Sequence, residues 1–235
     1  MAAPTATTAQ PAKFLEGDLM RHVMVMSFTS SIGLVALFFV DLVDMWFISM
    51  LGDPALVSAI GYASSILFFL TSVGIGLAIA TGALVARSLG QGRPDRAKQY
   101  ASHVLAVAFA GSALSSALVF LFSRDLLALL GASGQALDAG TMYLQIIAPS
   151  TPVLVMGMAS GAVLRGHGDA TRAMWTTLTG GLVNAGLDPI FIFGFDWGLA
   201  GASWASFASR FFVLGTALFF VFGKYEGLSR PTLGG

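Results

Sequence analysis

Four ionisable side chains sit inside long apolar stretches of this sequence: Asp41, Asp44, Asp188 and Arg210. Charge held away from water is expensive, so each is a candidate for function before anything else is known. Asp44 lies eight positions before Gly52, and Asp188 eight positions before Asp196. With a helical rise of about 1.5 Å per residue, both carboxylates fall about 12 Å below the same end of their helices. That shared height is what a common cation or proton site requires. Asn184 precedes Asp188 by four residues and so lies on the same helix face. Pro189 has no backbone N–H, which leaves the Ala185 carbonyl without its helical partner beside the acid. Carboxylates, an amide and a loose carbonyl are the hard oxygen ligands that a small cation takes, and the same set serves equally as a proton relay. Asp41, three residues before Asp44, either joins the site or faces an external vestibule. Arg210, near mid-depth, reads as a lone cation paired structurally with an acid.

The elements that must position these residues are membrane helices. Of the 235 residues, 56% are hydrophobic and 10% charged, with a mean hydropathy of +0.80. A soluble domain carries about 25% charged residues, so too little polar surface exists here to face water. The 28 glycines, together with many Ala and Ser, let helices approach closely in lipid. Zero net charge gives no footprint for nucleic acid, and the lack of cysteine excludes disulfides and thiolate metal sites. Stretches of about 20 apolar residues predict six spans: His22–Met50, Pro54–Ala86, Ala97–Phe122, Met142–Leu164, Ala173–Phe193 and Leu199–Phe222. Asp53 reads as an N-cap with Pro54 as the first helical residue. Ser88–Arg96, Ser123–Ala139, Arg165–Thr171 and Phe195–Gly198 read as connections, with Asp125–Leu130 in the second lying along the membrane interface. Residues 1–12 read as a disordered tail, 13–223 as a six-helix transmembrane lobe, and 224–235 as a cytoplasmic tail or inter-lobe linker.

Charge then sets orientation. Lys13, Arg21, Arg87, Arg93, Arg96, Lys98, Arg165, Arg172, Lys224 and Arg230 fall on one face, and Arg124 alone on the other. This positive-inside pattern places both termini in the cytoplasm of a multi-pass inner-membrane protein. His22, His103 and His167 fall in or beside the same cytoplasmic loops.

Four stretches, in order and in matching loops and helices, carry a family resemblance. They are Val43-Asp44-Met45-Trp46-Phe47-Ile48-Ser49-Met50-Leu51-Gly52, Ala86-Arg87-Ser88-Leu89-Gly90-Gln91-Gly92-Arg93, Leu164-Arg165-Gly166-His167-Gly168-Asp169-Ala170 and Asn184-Ala185-Gly186-Leu187-Asp188-Pro189. Over Phe14–Phe222 the chain resembles the amino-terminal half of a multidrug and toxic compound extrusion (MATE) transporter. The resemblance implies an all-α integral membrane fold, one six-helix lobe, and antiport that exports organic, often cationic lipophilic compounds against H⁺ or Na⁺. It implies no cofactor beyond the coupling ion. By position it carries the ion site to Asp44, Asn184 and Asp188, with Tyr143 and Ser206 at flanking polar positions. Three departures stand out. The family usually has two such lobes, so a second lobe or a homodimeric partner is expected. Its first helix commonly has a proline where this sequence reads Met26-Ser27-Phe28-Thr29. Asp41 stands where an uncharged amide is frequent, adding an acid to the site.

The alternative reading is a membrane scaffold or degenerate half-transporter that folds but moves nothing. A membrane enzyme is disfavoured, because the sequence offers no nucleophile–base pair, metal motif or phosphate loop.

Overall fold

Turn chemistry punctuates the chain into helical rods in the computed structural model, which describes residues 19–225. The segments read as a tail and as a linker lie largely outside those residues, as do Lys13 and Arg230. In order come α1 (Leu19–Ser49), α2 (Pro54–Gly90), α3 (Pro94–Leu129), α4 (Gly134–Ile147), a 3₁₀ turn (Ala148–Ser150), α5 (Thr151–Gly166), α6 (Ala170–Pro189), a π turn (Ile190–Gly194) and α7 (Gly198–Tyr225). Among the described residues every regular element is helical. Because α4 and α5 form one rod across the 3₁₀ turn, and the π turn extends α6, the elements make six rods, as the sequence predicts.

The caps follow the sequence closely. Asp53 Oδ1 accepts the Ala55 N–H at 2.9 Å, with Pro54 opening α2. The other Asp53 oxygen accepts from Gln135 Nε2 and so ties the α1–α2 turn to the start of α4. Asp169 caps α6 through the Arg172 N–H and pairs with the Arg172 guanidinium at 2.9 Å. Glycine takes the left-handed backbone at the tight turns, with φ of +73° at Gly52 and +67° at Gly92.

Two connections are shorter than the sequence suggests. The polar loop read at Ser88–Arg96 contracts to Gln91–Arg93, because α2 runs on to Gly90 and α3 starts at Pro94. The loop read at Ser123–Ala139 is mostly helix. α3 bends at Phe122 (φ −105°, ψ 16°) and continues to Leu129, so Asp125–Leu130 is its last turns rather than a separate element. Arg124 and Asp138 then pair across the turn at 2.7 Å, both exposed. The sequence criterion stopped the span where charge began, whereas a helix needs no apolar surface once it projects beyond the hydrocarbon. At about 1.5 Å per residue the 37-residue α2 is about 55 Å long, far more than a bilayer core of about 30 Å.

Among the described residues five segments are long and apolar enough to cross a membrane: Val23–Ser49, Pro54–Gly90, Pro94–Leu129, Gly134–Gly166 and Gly198–Gly223. α6 is not among them, since it carries Arg172, Thr176, Thr177, Thr179, Asn184 and Asp188. It sits instead among other helices, packed against α1, α7 and α5. One buried apolar cluster joins Ile48, Ile60, Leu70, Leu127, Leu144 and Ile192. A second joins Val85, Ala101, Val163, Leu164 and Val221 towards the opposite end. Close approach depends on missing side chains. A Cβ on Gly201 of α7 would lie 2.5 Å from the Phe191 carbonyl carbon and oxygen in the π turn, a separation no side chain tolerates.

Candidate cation site

Three rods meet at the acids. α1 supplies Asp44, α6 supplies Asn184 and Asp188 one turn apart, and α7 supplies Ser206. Asn184 Nδ2 donates to Asp44 Oδ1 at 3.3 Å. Ser206 Oγ lies 3.3 Å from Asp44 Oδ2 and 3.4 Å from Asn184 Oδ1, so its single proton serves one acceptor at a time. These contacts are at the long end of hydrogen bonding. The cluster is therefore held loosely, and its oxygens keep lone pairs to spare.

Asp188 is the extreme member. It is 0% exposed, and among the described residues neither carboxyl oxygen has a hydrogen-bond partner within 3.5 Å. Its neighbours are the Asp44 carboxyl and the Asn184 amide. A fully buried carboxyl without a partner is rare in folded proteins and calls for an explanation. Pro189 lies inside the helix immediately after it, and the backbone continues into the π turn, where the Phe195 N–H reaches back to the Ile190 carbonyl at 2.9 Å. π turns of this kind recur at functional positions. The donor set of two carboxylates, one amide oxygen and one hydroxyl fits a small hard cation or a shared proton.

The remaining sequence candidates divide. Tyr143 of α4 is buried, within electrostatic reach of Asp44, Asp188, Asp41 and Arg210. Asp41 is exposed on α1, one turn from Asp44, and hydrogen-bonds to nothing described. Arg210 departs from expectation. It makes no ion pair within 4 Å among the described residues; its Nη1 donates to the Ile147 carbonyl at 3.2 Å, Ser150 Oγ at 2.9 Å and Thr151 Oγ1 at 3.4 Å. The reason is local. The 3₁₀ turn frees carbonyls and places two hydroxyls at the break between α4 and α5, and a guanidinium there satisfies neutral acceptors. The signal in the sequence was Pro149 and Pro152 bracketing Ser150-Thr151 within the fourth span.

Residues 29–190 match the MatE family profile. The chain belongs to the MatE family. This MatE chain is 30% identical over 180 residues to the FAD transporter of Shewanella oneidensis, covering 77% of this chain and 40% of that one. It is 27% identical over 211 residues to the multidrug export protein MepA of Staphylococcus aureus, covering 88% and 46% respectively. A multidrug resistance MATE family transporter solved in an outward-facing conformation superposes with a TM-score of 0.87 at 25% identity, over 95% of this chain and 49% of that one. The MatE chain thus spans about half the length of the relatives it matches. The relatives are named as membrane transporters, and the expected MATE-like helical lobe is the fold this chain shares with them.

Proposed function

We propose that this lobe is the cation-binding half of an exporter of organic solutes, in which Asp44, Asn184, Asp188 and Ser206 bind the coupling H⁺ or Na⁺. The observation that carries this reading is the buried, unpartnered carboxyl of Asp188 beside Asp44. A cation or a proton between the two acids supplies the missing partner, and its departure leaves like charges facing each other in a dry interior. Occupancy therefore changes the energy of the α1–α6–α7 contact, which is what coupling requires. Tyr143 borders the same space. Asp41, exposed at membrane depth, belongs on a water-filled cleft, because an acid facing lipid is expensive. There it offers a carboxylate to a cationic, lipophilic solute. The carriers it resembles are named for FAD and for multiple drugs, which supports organic cargo as a class.

Alternating access needs a second wall, supplied by a second six-helix lobe or a second copy of this chain. The basic residues at one face favour an inner-membrane orientation with both ends cytoplasmic. The test is flux of a cationic dye in proteoliposomes containing the lobe and its partner. A pH gradient without sodium drives efflux if H⁺ couples, and a Na⁺ gradient drives it if Na⁺ does. Asp188→Asn keeps the shape of the side chain, so it should leave expression intact and abolish ion dependence. Transport by that variant with unchanged ion dependence overturns the assignment. A lobe that binds the cation but moves no solute with any partner supports the scaffold reading instead.

A further inference from the structure

The fourth rod is broken, and the break is clamped by a residue one turn from the acid site. Pro149 and Pro152 lack N–H groups, and the Thr151 N–H turns back to the Ala148 carbonyl in a 3₁₀ bond. The Ile147 carbonyl, which would accept from Thr151 in a continuous α-helix, accepts instead from Ser150 Oγ at 2.7 Å and from Arg210 Nη1. The Ala148 carbonyl also accepts from Ser116 Oγ of α3. Among the described residues, every hydrogen bond that Arg210 makes goes to residues 147–151. On the same face of α7, four residues earlier, Ser206 contacts Asp44 and Asn184. Tyr143, four residues before Ile147, brings α4 within electrostatic reach of the acids. α1, by contrast, is one uninterrupted helix without proline over Leu19–Ser49.

The geometry points to Arg210 as a positioning residue that transmits the state of the Asp44–Asp188 site along α7 to the Ala148–Ser150 break, which is the joint of the lobe. When a cation sits between the acids, Ser206 and its turn of α7 are held against α1 and α6, and Arg210 keeps the break closed. When the cation leaves, the repelling carboxylates loosen that turn. The guanidinium, within electrostatic reach of Tyr143 and of the exposed Asp41 carboxylate, then has competing acceptors, and the clamp on residues 147–151 weakens. This inference rests on the cation site proposed above, and the experiment separates the two.

The full chain in lipid nanodiscs is titrated with NaCl and, separately, with acid. Cation binding is read by ²²Na⁺ retention or proton uptake, and the joint by amide hydrogen exchange over residues 147–151. In the wild-type chain, binding should slow exchange at those amides. Asp188→Asn should lose binding and the response together. Arg210→Met should keep binding within about threefold, yet exchange about tenfold faster at the joint and no longer respond to the cation, in line with the loss of hydrogen bonds there. Because removal of a buried cation can impair folding, Ser150→Ala with Thr151→Ala provides a second route. It leaves the charge and removes two of the three acceptors, and it should also blunt the response. Wild-type binding without a change at 147–151 overturns the joint while leaving the ion site standing. So does an Arg210→Met or double variant that responds like wild type. A wild-type chain that binds neither Na⁺ nor protons overturns both.

Discussion

Asp188 is the residue at which stability and function oppose each other. Its carboxyl is buried without a partner, which a folded chain tolerates only where something else is gained. Asp188→Asn places an N–H donor towards the Asp44 carboxyl. The variant should therefore be more stable than the wild type by about 1–2 kcal/mol, read as a higher thermal midpoint in detergent, while ion coupling is lost. A lower midpoint would show that the carboxyl is already satisfied in the ion-free protein. Ser206 makes a finer probe. Removing its hydroxyl in Ser206→Ala should weaken cation binding about three- to tenfold, whereas Ser206→Thr keeps the hydroxyl and should bind as the wild type does. Asp44, Asn184 and Asp188 were legible in the sequence because charge at apolar depth is conspicuous and helical spacing sets which side chains share a face. Arg210 was conspicuous for the same reason, yet its partners were hidden. They are a carbonyl and two hydroxyls that become acceptors only when the helix breaks, and charge patterning does not register a freed carbonyl.

At the scale of elements, packing in this lobe depends on where side chains are missing. Gly201→Val would drive a β-branched side chain into the Phe191 backbone, 2.5 Å from its Cβ. It should lower stability by about 2–3 kcal/mol and displace the π turn that follows Asp188. Gly61→Ala meets nothing within 4 Å and should lose nothing in the same thermal assay; an equal loss in both would mean that glycine acts here through the backbone alone. The α5–α6 turn offers a pH test. Burial holds the His167 imidazole below its ordinary value of 6.5, with Lys98 of α3 acting in the same direction and Asp169 and the Val163 carbonyl opposing. The unfolded chain then binds the proton more readily, so the contribution of His167 to stability is complete above about 6.5 and declines as pH falls below it. His167→Gln should flatten the stability profile on that acid side; an unchanged slope would assign it to other groups. The six rods were readable from apolar runs and caps. The lengths of α2 and α3 were not, since neither end is marked by a loss of helix propensity where the lipid ends.

For the molecule as a whole, orientation decides which solution the acids meet, and the structure sharpens the test of it. Exposed Met20, Phe28, Val35, Phe38, Phe68, Phe69, Leu121, Leu129 and Phe219 make a surface that needs lipid or another lobe against it. Successive turns lie at alternate ends of the bundle, and among the described residues five of its segments are long and apolar enough to cross a bilayer. On the positive-inside rule, the basic residues at the α2–α3 and α5–α6 turns predict that those turns face the cytoplasm. The chain has no cysteine, so one introduced thiol reports one position. Asp53 is a poor reporter, because its carboxylate caps α2 and holds Gln135, and Gly92 is strained for any other residue at φ +67°. Gln91, exposed at the end of α2, and Ser133, exposed before α4 and making no side-chain cap bond, bear no such duty. In intact cells a membrane-impermeant maleimide should label Ser133→Cys and spare Gln91→Cys, with both labelled once the membrane is opened. The reverse pattern would invert the lobe, put the Asp44–Asp188 site in the cytoplasmic half rather than the outer half, and turn the proposed exporter's ion entry around.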